Sequence, residues 1–264
     1  MIGQIHLTDF INDLRRKGRY LFHKQEAAQE MNLSESALKA SLARLSGKRK
    51  IGFLKDGLYQ ILPEEYAFSG SLPPQWFINE LMSHLEIPYY TGLLSAAALH
   101  GAAHQAPQIF QVICPRQLRP LTIGNTQVHF YFNKDFSLTP TQDYKTPTGY
   151  LKVSTPEGTA FDLLRYLHQS GHLNHVATVL SELADTLDKD RLLFVAEKIS
   201  LRYVQRLGYV LDSIGAASLT TSLHTLVLES AVRYVPLRAD APIQRAEKNK
   251  KWHILVNERV ETDL

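Results

Sequence analysis

The residues of this sequence best suited to chemistry are its lysines and arginines, which are concentrated near the start of the chain. Residues 1–60 contain eleven Lys and Arg against six Asp and Glu, a net charge of +5. Because the whole chain carries +3, the remaining residues carry −2. Lys and Arg neutralise phosphate groups, and a basic patch confined to one segment is the electrostatic footprint of a nucleic-acid-binding surface.

Apolar spacing in this segment predicts two helices that would carry the cations. The first spans about 24–31, where Ala27, Ala28 and Met31 recur on one side. Residues 32–33 would then form a turn.

The second helix follows Ser34, whose hydroxyl can accept a hydrogen bond from an unpaired N–H of the first helical turn. It ends at Gly47. Leu38, Leu42 and Leu45 recur at helical spacing and must face a core. The opposite face carries short, polar or cationic side chains: Ser36, Lys39, Ala40 and Ala43.

An outward face of this kind suits the major groove of duplex DNA. Small side chains let a helix sit deep in the groove. Ser36 and Lys39 can donate hydrogen bonds to base edges or phosphates, with Ser34 and Ala40 entering the groove beside them.

A basic run and a predicted hairpin follow the second helix. Lys48, Arg49 and Lys50 precede two apolar runs that are separated by Lys-Asp-Gly at 55–57. Asp-Gly between apolar runs is a strong hairpin signal. The alternating apolar residues of the two runs are Ile51, Phe53, Leu58 and Ile61.

These elements together predict a winged helix-turn-helix domain over 1–63 that binds double-stranded DNA, with the hairpin as its wing. Two alternatives remain open. A helix pair followed by a hairpin is also a common packing unit without a ligand, and it can serve an enzyme or protein-binding module as a docking platform. The residues predicted to contact DNA are Lys24, Ser34, Ser36, Lys39, Ala40, Arg44, Lys48, Arg49, Lys50 and Lys55.

Composition changes at 62–74, which has Pro near both ends with Ser and Gly between them, and this predicts a linker at 64–74. The remainder, 75–264, is predicted to be an α+β domain, because helical and strand patterns are mixed without regular alternation. Predicted helices cover about 75–87, 91–101, 156–167, 174–186 and 189–207, with a further helical or apolar segment at 210–229. Predicted strands cover 109–114, 127–132, 151–154, 232–237 and 251–257, with a turn at 124–125 between the first two.

No catalytic residue, metal or cofactor is predicted, because the motifs that would carry them do not occur. Glycine-rich phosphate loops and the GxSxG nucleophile elbow are missing. A phosphotransferase with dispersed catalytic residues would still leave no local motif. Two groups of His have the spacing of metal ligands, but a glycine (Gly101 or Gly171) interrupts each: His100 with His104, and His168 with His172 and His175. The carboxylates of this half are predicted mostly to cap helices or lie in solvent: Glu157, Asp162, Glu182, Asp185, Asp188, Asp190 and Glu197.

The sequence predicts a cytoplasmic protein. No apolar run approaches the ~20 residues that span a bilayer, and the N-terminus lacks a signal-peptide pattern. The single cysteine, Cys114, lies in the apolar run IFQVIC and is predicted to be buried in a strand.

Ordered motifs in the second half resemble the AbiEi antitoxin family of type IV toxin-antitoxin systems. They are YYTGLLSAAALHG, VSTPEGTAFDLLRY, RLGYVLDSIG, YVPLRADAP and KWHILVNERVETDL. The resemblance covers essentially the whole chain, since that family also opens with a winged helix-turn-helix. In one departure, the chain has Gly158 where family members often have Arg after the Pro-Glu pair.

The resemblance implies a repressor of its own operon that also counteracts a nucleotidyltransferase toxin. The N-terminal domain would bind inverted repeats in the promoter, and the C-terminal domain would act as the antitoxin without a stable toxin complex. Arg165, Arg202 and Arg206 are the candidate exposed cations of an antitoxin surface. The predicted core includes Leu93, Leu94, Phe161, Leu164, Leu207 and Trp252, with Gly92, Gly149 and Gly208 permitting turns or close packing.

Overall fold

The computed structural model describes residues 6–102, 107–230 and 233–262. The fold is mixed α and β, as predicted. The chain divides into two compact units, each assembled from more than one segment. The first unit comprises 1–90, 108–133 and 143–152, and the second comprises 91–107, 134–142 and 153–264.

The first unit opens with three helices and a small antiparallel sheet. The sheet has the strand order β1-β3-β2. Its hairpin pairs Lys55 with Leu58 across the turn. The elements are α1 (Leu7–Arg16), β1 (Leu21–His23), α2 (Lys24–Met31), α3 (Glu35–Gly47), β2 (Ile51–Lys55) and β3 (Leu58–Ile61).

Helix α1 supplies much of the core of this half, although no element was predicted there from the sequence. Its apolar residues recur at helical spacing and are buried: Leu7, Phe10, Ile11 and Leu14. The ring of Phe10 meets that of Phe22 edge-on at 5.7 Å, and Phe22 stacks on Tyr59 at 5.6 Å. Aromatic contacts of this kind tie α1 to the sheet.

Helices α2 and α3 confirm the predictions made for them. Asn32 ends α2 in the left-handed conformation, with φ of 47°. Ser34 caps α3 by accepting a hydrogen bond from the N–H of Ala37 at 3.3 Å. The three leucines predicted to face the core are each at most 4% exposed: Leu38, Leu42 and Leu45.

The hairpin turn is also confirmed, but the predicted alternation of apolar residues in β2 is wrong. Asp56 and Gly57 both have positive φ, 48° and 83°, as a two-residue hairpin turn requires. A β-bulge lies between Phe53 and Lys55. It turns Leu54 into the core and leaves Phe53 54% exposed.

Residues 64–74, predicted as a linker, contain the short helix α4 (Glu64–Ala67). Leu72 is fully buried, and its N–H donates to Gln60 Oε1 at 2.9 Å. Helix α5 (Pro74–His84) follows. The division into domains at 64–74 stays a prediction, while the compact units divide the chain elsewhere.

A six-stranded mixed sheet has the order β6-β7-β5-β4-β9-β8. Strands β5 and β7 pair in parallel, and the turn at 124–125 joins β6 to β7 instead of joining β5 to β7 as predicted. Cys114 ends β5 and is fully buried, as predicted. The strands are β4 (Tyr90–Thr91), β5 (Ile109–Cys114), β6 (Leu121–Ile123), β7 (Thr126–Phe132), β8 (Thr141–Thr146) and β9 (Gly149–Ser154).

The second unit is mainly helical and ends in a small sheet of order β10-β12-β11. The single helix predicted at 189–207 is wrong, because the chain leaves the helix at 197–200 and forms α9 and α10 separately. The elements are α6 (Leu93–Leu99), α7 (Pro156–Arg165), α8 (His172–Leu183), α9 (Lys189–Ala196), α10 (Leu201–Ser213), α11 (Thr221–Leu228), β10 (Val235–Pro236), β11 (Glu247–Asn249) and β12 (Ile254–Val256).

The start of α7 confirms its predicted signals. Thr155 accepts a hydrogen bond from the N–H of Gly158 at 3.2 Å, and Pro156 occupies the first helical position. Five of the six predicted core residues are at most 3% exposed, namely Leu93, Phe161, Leu164, Leu207 and Trp252, whereas Leu94 is partly exposed.

Within the described ranges, none of the helices combines the length and the apolar character needed to cross a lipid bilayer.

Candidate nucleic-acid interface

The outward face of α3 presents the residues predicted for it. Every member of that face is exposed, because the leucines on the other side hold the helix to the core. Residues spaced three or four apart share one helix face. The exposed residues are Ser36, Lys39, Ala40, Ala43 and Arg44.

The predicted basic run lies at the C-terminal end of α3 in a Schellman motif. The N–H of Arg49 donates to Ser46 O at 2.9 Å, and the N–H of Lys50 donates to Leu45 O at 3.0 Å. Lys48 is the C-cap residue. The side chains of all three residues of the run are exposed.

Arg49 occupies the position of this motif that usually holds glycine. Its φ is +52°. The left-handed conformation costs a residue with a Cβ atom about 1–2 kcal/mol, and strain of this kind concentrates at functional sites. The chain therefore retains a guanidinium here at the expense of local stability.

Lys24 and Lys55 differ from the other predicted cations because they are only partly exposed. Lys24 Nζ donates to Glu35 Oε1 at 2.9 Å. That hydrogen bond holds the pKa of Glu35 below its usual value. The pair links the start of α2 to the first turn of α3 and engages Lys24, one of the residues predicted to contact DNA.

His23 joins α2 to the hairpin turn, a role that was not predicted from the sequence. Its Nδ1 accepts from the N–H of Gln25 at 3.1 Å and so caps α2. Its Nε2 lies 3.1 Å from the carbonyl oxygen of Asp56, and His84 Nε2 lies 3.2 Å from the same oxygen. Since Nδ1 is an acceptor, the ring proton belongs on Nε2 and is donated to the turn. Histidine is not among the preferred N-cap residues, so no local signal pointed to it.

A second missed contact holds α2 in place. Arg19 binds Glu26 through two hydrogen bonds, of 2.7 and 3.0 Å. The Arg19 guanidinium lowers the pKa of Glu26. Bidentate pairs of this type fix orientation as well as charge.

In the second unit, the structure brings the three predicted arginines together around one aromatic ring. The Cζ atoms of Arg165, Arg202 and Arg206 lie 5.4, 5.0 and 5.7 Å from the ring centroid of Tyr203. The prediction that all three are exposed is wrong. Arg202 is exposed, but Arg206 is 9% exposed and the side chain of Arg165 is 12% exposed.

Two carboxylates at α7 also differ from their prediction. Glu157 and Asp162 are each 1% exposed, so they are not solvated. Glu157 Oε1 accepts from the N–H of Asp188 at 3.1 Å, and Asp162 Oδ1 lies 3.4 Å from Arg165 Nη1. Asp188 itself caps α9, as predicted, by accepting from Asp190 and Arg191.

Gly158 sits in the first turn of α7 with little space around it. A Cβ atom there would lie 3.0 Å from Thr139 Cγ2 and 3.3 Å from Pro140 O. The larger side chain that the family often has at this position would require these neighbours to shift.

The histidine groups do not assemble a metal site in the part of the chain that the structure describes. His100 Nε2 lies 2.8 Å from the Ser154 carbonyl oxygen, and burial lowers the pKa of His100. His104 lies outside the described residues. His168 lies 3.2 Å from Asp240 Oδ2.

Comparison with known proteins bears on the second half of the chain and on the fold. The solved structure of RV2827C protein from Mycobacterium tuberculosis is similar to this chain, with a TM-score of 0.67 and 15% identity. The match covers 94% of this chain and 89% of that one, and at this identity it shows the fold alone. No curated protein matches the chain. Residues 90–213 match the family model of the AbiEi antitoxin C-terminal domain. The resemblance seen in the sequence motifs is thereby confirmed for residues 90–213, which are similar to the C-terminal domain of AbiEi antitoxins.

Proposed function

We propose that this protein is a sequence-specific DNA-binding autorepressor and the antitoxin of a type IV toxin-antitoxin system. The observation that carries the DNA-binding part is the exposed face of α3. Small polar side chains lie along this face, and the basic run of Lys48, Arg49 and Lys50 follows at the end of the helix. In this proposal, residues 1–63 are a winged helix-turn-helix, α3 is the recognition helix and the β2–β3 hairpin is the wing.

Contacts divide between bases and phosphates. Ser34, Ser36, Lys39 and Ala40 enter the major groove at the start of α3, where side chains of a recognition helix reach base edges. Backbone phosphates are held by the remaining cations, which position the helix without reading sequence. These phosphate ligands are Lys24, Arg44, Lys48, Arg49, Lys50 and Lys55.

The antitoxin part of the proposal rests on the family of the C-terminal domain. The predicted domain at 75–264, joined through 64–74, would counteract a nucleotidyltransferase toxin in the cytoplasm without forming a stable complex and without catalysing a reaction. Of the three arginines considered for this activity, Arg202 is the exposed one and is the candidate contact. Co-expression with the nucleotidyltransferase of a neighbouring gene should restore growth, and failure to restore growth would contradict the antitoxin role.

The DNA-binding role is tested with the purified chain and a fragment of its own upstream region. The protein should shift this fragment in excess competitor DNA. Lys39→Ala should weaken binding to the specific fragment by about tenfold and to random DNA much less, since a base contact contributes about 1–3 kcal/mol of discrimination.

Lys189→Ala is the matched control, because it removes an exposed lysine from the second unit. Its binding should equal that of the unaltered chain. If Lys39→Ala lowers the affinity for specific and random DNA equally, Lys39 does not contact bases. No shift at all would overturn the repressor role and favour the alternative, a winged helix that docks a protein partner.

A further inference from the structure

The second unit contains a compact group of arginines that the proposed DNA contacts do not use. Arg165 ends α7, while Arg202 and Arg206 lie one turn apart on α10. All three guanidinium carbons lie within 5.7 Å of the centroid of the Tyr203 ring. We call these four residues the arginine cluster.

The cluster carries more positive charge than its neighbours neutralise. Asp162 lies within ion-pair distance of Arg165, at 3.4 Å. Among residues 6–102, 107–230 and 233–262, no carboxylate forms an ion pair with Arg202 or Arg206. Three cations against one anion leave a charge of about +2, and arginine keeps its proton under all ordinary conditions.

Burial makes this charge costly. Arg206 is 9% exposed, and its Nε donates to the carbonyl oxygen of Pro236 at 3.0 Å. Arg165 Nη1 is buried and makes no hydrogen bond within the described structure. Burial and the nearby Arg202 lower the pKa of Arg206. Buried charges without full hydrogen bonding are expensive.

Contact with Tyr203 compensates only part of that cost. A cation near an aromatic face gains about 0.5–2 kcal/mol, but an aromatic ring does not offer the oxygen acceptors that guanidinium groups bind most strongly. A bound oxyanion would accept them, because arginine matches phosphate and carboxylate geometry with paired hydrogen bonds.

We propose that the arginine cluster binds a phosphate monoester dianion, such as the terminal phosphate of a small nucleotide. A dianion matches the charge of about +2, whereas each group of a phosphodiester backbone carries a single charge. Arg165 and Arg206 are largely buried, which suits a small terminal group better than a duplex. This site lies in the second unit and does not depend on DNA binding by α3.

Calorimetric titration of the full chain tests the proposal, with inorganic phosphate and a nucleoside 5′-monophosphate as probes. Both should bind saturably. Arg202→Gln should weaken binding about tenfold, since a hydrogen bond to a charged group contributes about 1.5–3 kcal/mol. The variant should keep its circular dichroism spectrum, because Arg202 is exposed. Arg206→Lys keeps the charge but removes the paired donors and should weaken binding in the same direction.

Arg191→Gln is the control, because it removes an exposed arginine from α9 in the same unit. It should bind both probes with unchanged affinity. The proposal is overturned if neither probe binds at millimolar concentration, or if Arg202→Gln and Arg191→Gln bind equally well. It is also overturned if random-sequence duplex displaces phosphate while the nucleotide does not, since the site would then be one for a phosphodiester backbone.

Discussion

Gly208 of α10 lies directly against the indole ring of Trp252. A Cβ atom at position 208 would fall 2.2 Å from Cζ3 of that ring. Trp252 is fully buried, and its Nε1 donates to Asp212 Oδ2 at 2.6 Å, one turn further along α10. Because Gly208 has no side chain and Asp212 accepts the indole hydrogen bond, Trp252 packs directly against α10.

Gly208→Ala should therefore destabilise the protein although alanine is the better helix former. Forcing a methyl group into a packed core costs about 1–3 kcal/mol. This exceeds the stabilisation of about 0.5–1 kcal/mol that alanine gives a helix relative to glycine. Urea unfolding measures the difference. Gly47→Ala is the control, because a Cβ atom there meets open space, and its stability should stay the same or rise. Equal effects of the two substitutions would contradict this packing.

Arg49→Gly should separate stability from DNA binding. Glycine relieves the positive φ of Arg49, so the free energy of unfolding should rise by about 1 kcal/mol, while affinity for DNA falls. Arg49→Ala is the matched variant, since it removes the guanidinium but keeps the strained Cβ atom. It should lose the same affinity without the gain in stability. Thermal melts measure the stability of each variant, and binding isotherms measure its affinity for DNA. If Arg49→Gly is less stable than the unaltered chain, the positive φ of Arg49 does not strain the fold.

Alanine at Lys48, Arg49 and Lys50 together should weaken binding to every DNA sequence. Each phosphate that a cation neutralises adds about 0.9 to the slope of log affinity against log salt concentration, so the slope should become shallower by about one unit for each phosphate that is no longer bound. Fluorescence anisotropy over a salt series measures it. A triple variant of exposed lysines, Lys134, Lys145 and Lys189, removes an equal charge and should leave the slope unchanged. Identical slopes for both triple variants would show that Lys48, Arg49 and Lys50 do not contact DNA phosphates.

The Arg19–Glu26 pair should make stability depend on pH. Because hydrogen bonds from Arg19 hold the pKa of Glu26 below its ordinary value, the pair stabilises the fold fully above the unfolded pKa of about 4.3. The contribution is lost as pH falls through the lower folded pKa. Partial exposure limits it to about 1 kcal/mol or less.

Urea unfolding of the unaltered chain and of Glu26→Gln is compared from about pH 3 to 7, a range that spans the ordinary carboxylate pKa values. The stability gap should be largest near neutrality and close in acid. Glu30→Gln on the same helix is the control, since Glu30 is exposed and forms no ion pair within the described residues. If the difference in stability between the unaltered chain and Glu26→Gln stays the same in acid, the pair does not act through ionisation of Glu26.

Much of the first half of the fold could be predicted because its signals are local. The Ser34 cap, the leucine spacing of α3 and the Asp-Gly turn each act within a few residues, and the elements appear where they were expected. The break between α9 and α10 carries neither proline nor glycine. Ser200 is the N-cap residue of α10, a faint signal of a new helix. The three-residue strands β6 and β11 were not predicted, since a strand of few residues is defined by its partner more than by its own sequence.

The sequence by itself determined helices α2 and α3, the exposed basic residues of α3 and, through ordered motifs, the resemblance of residues 90–213 to the AbiEi C-terminal domain. Only the tertiary structure decided that Arg165 and Arg206 are buried beside Tyr203 and that Gly208 receives Trp252. The physical reason is range. Capping and helical periodicity act between residues close in the chain, whereas burial and charge compensation depend on which distant segments pack together, and one sequence does not specify those partners locally.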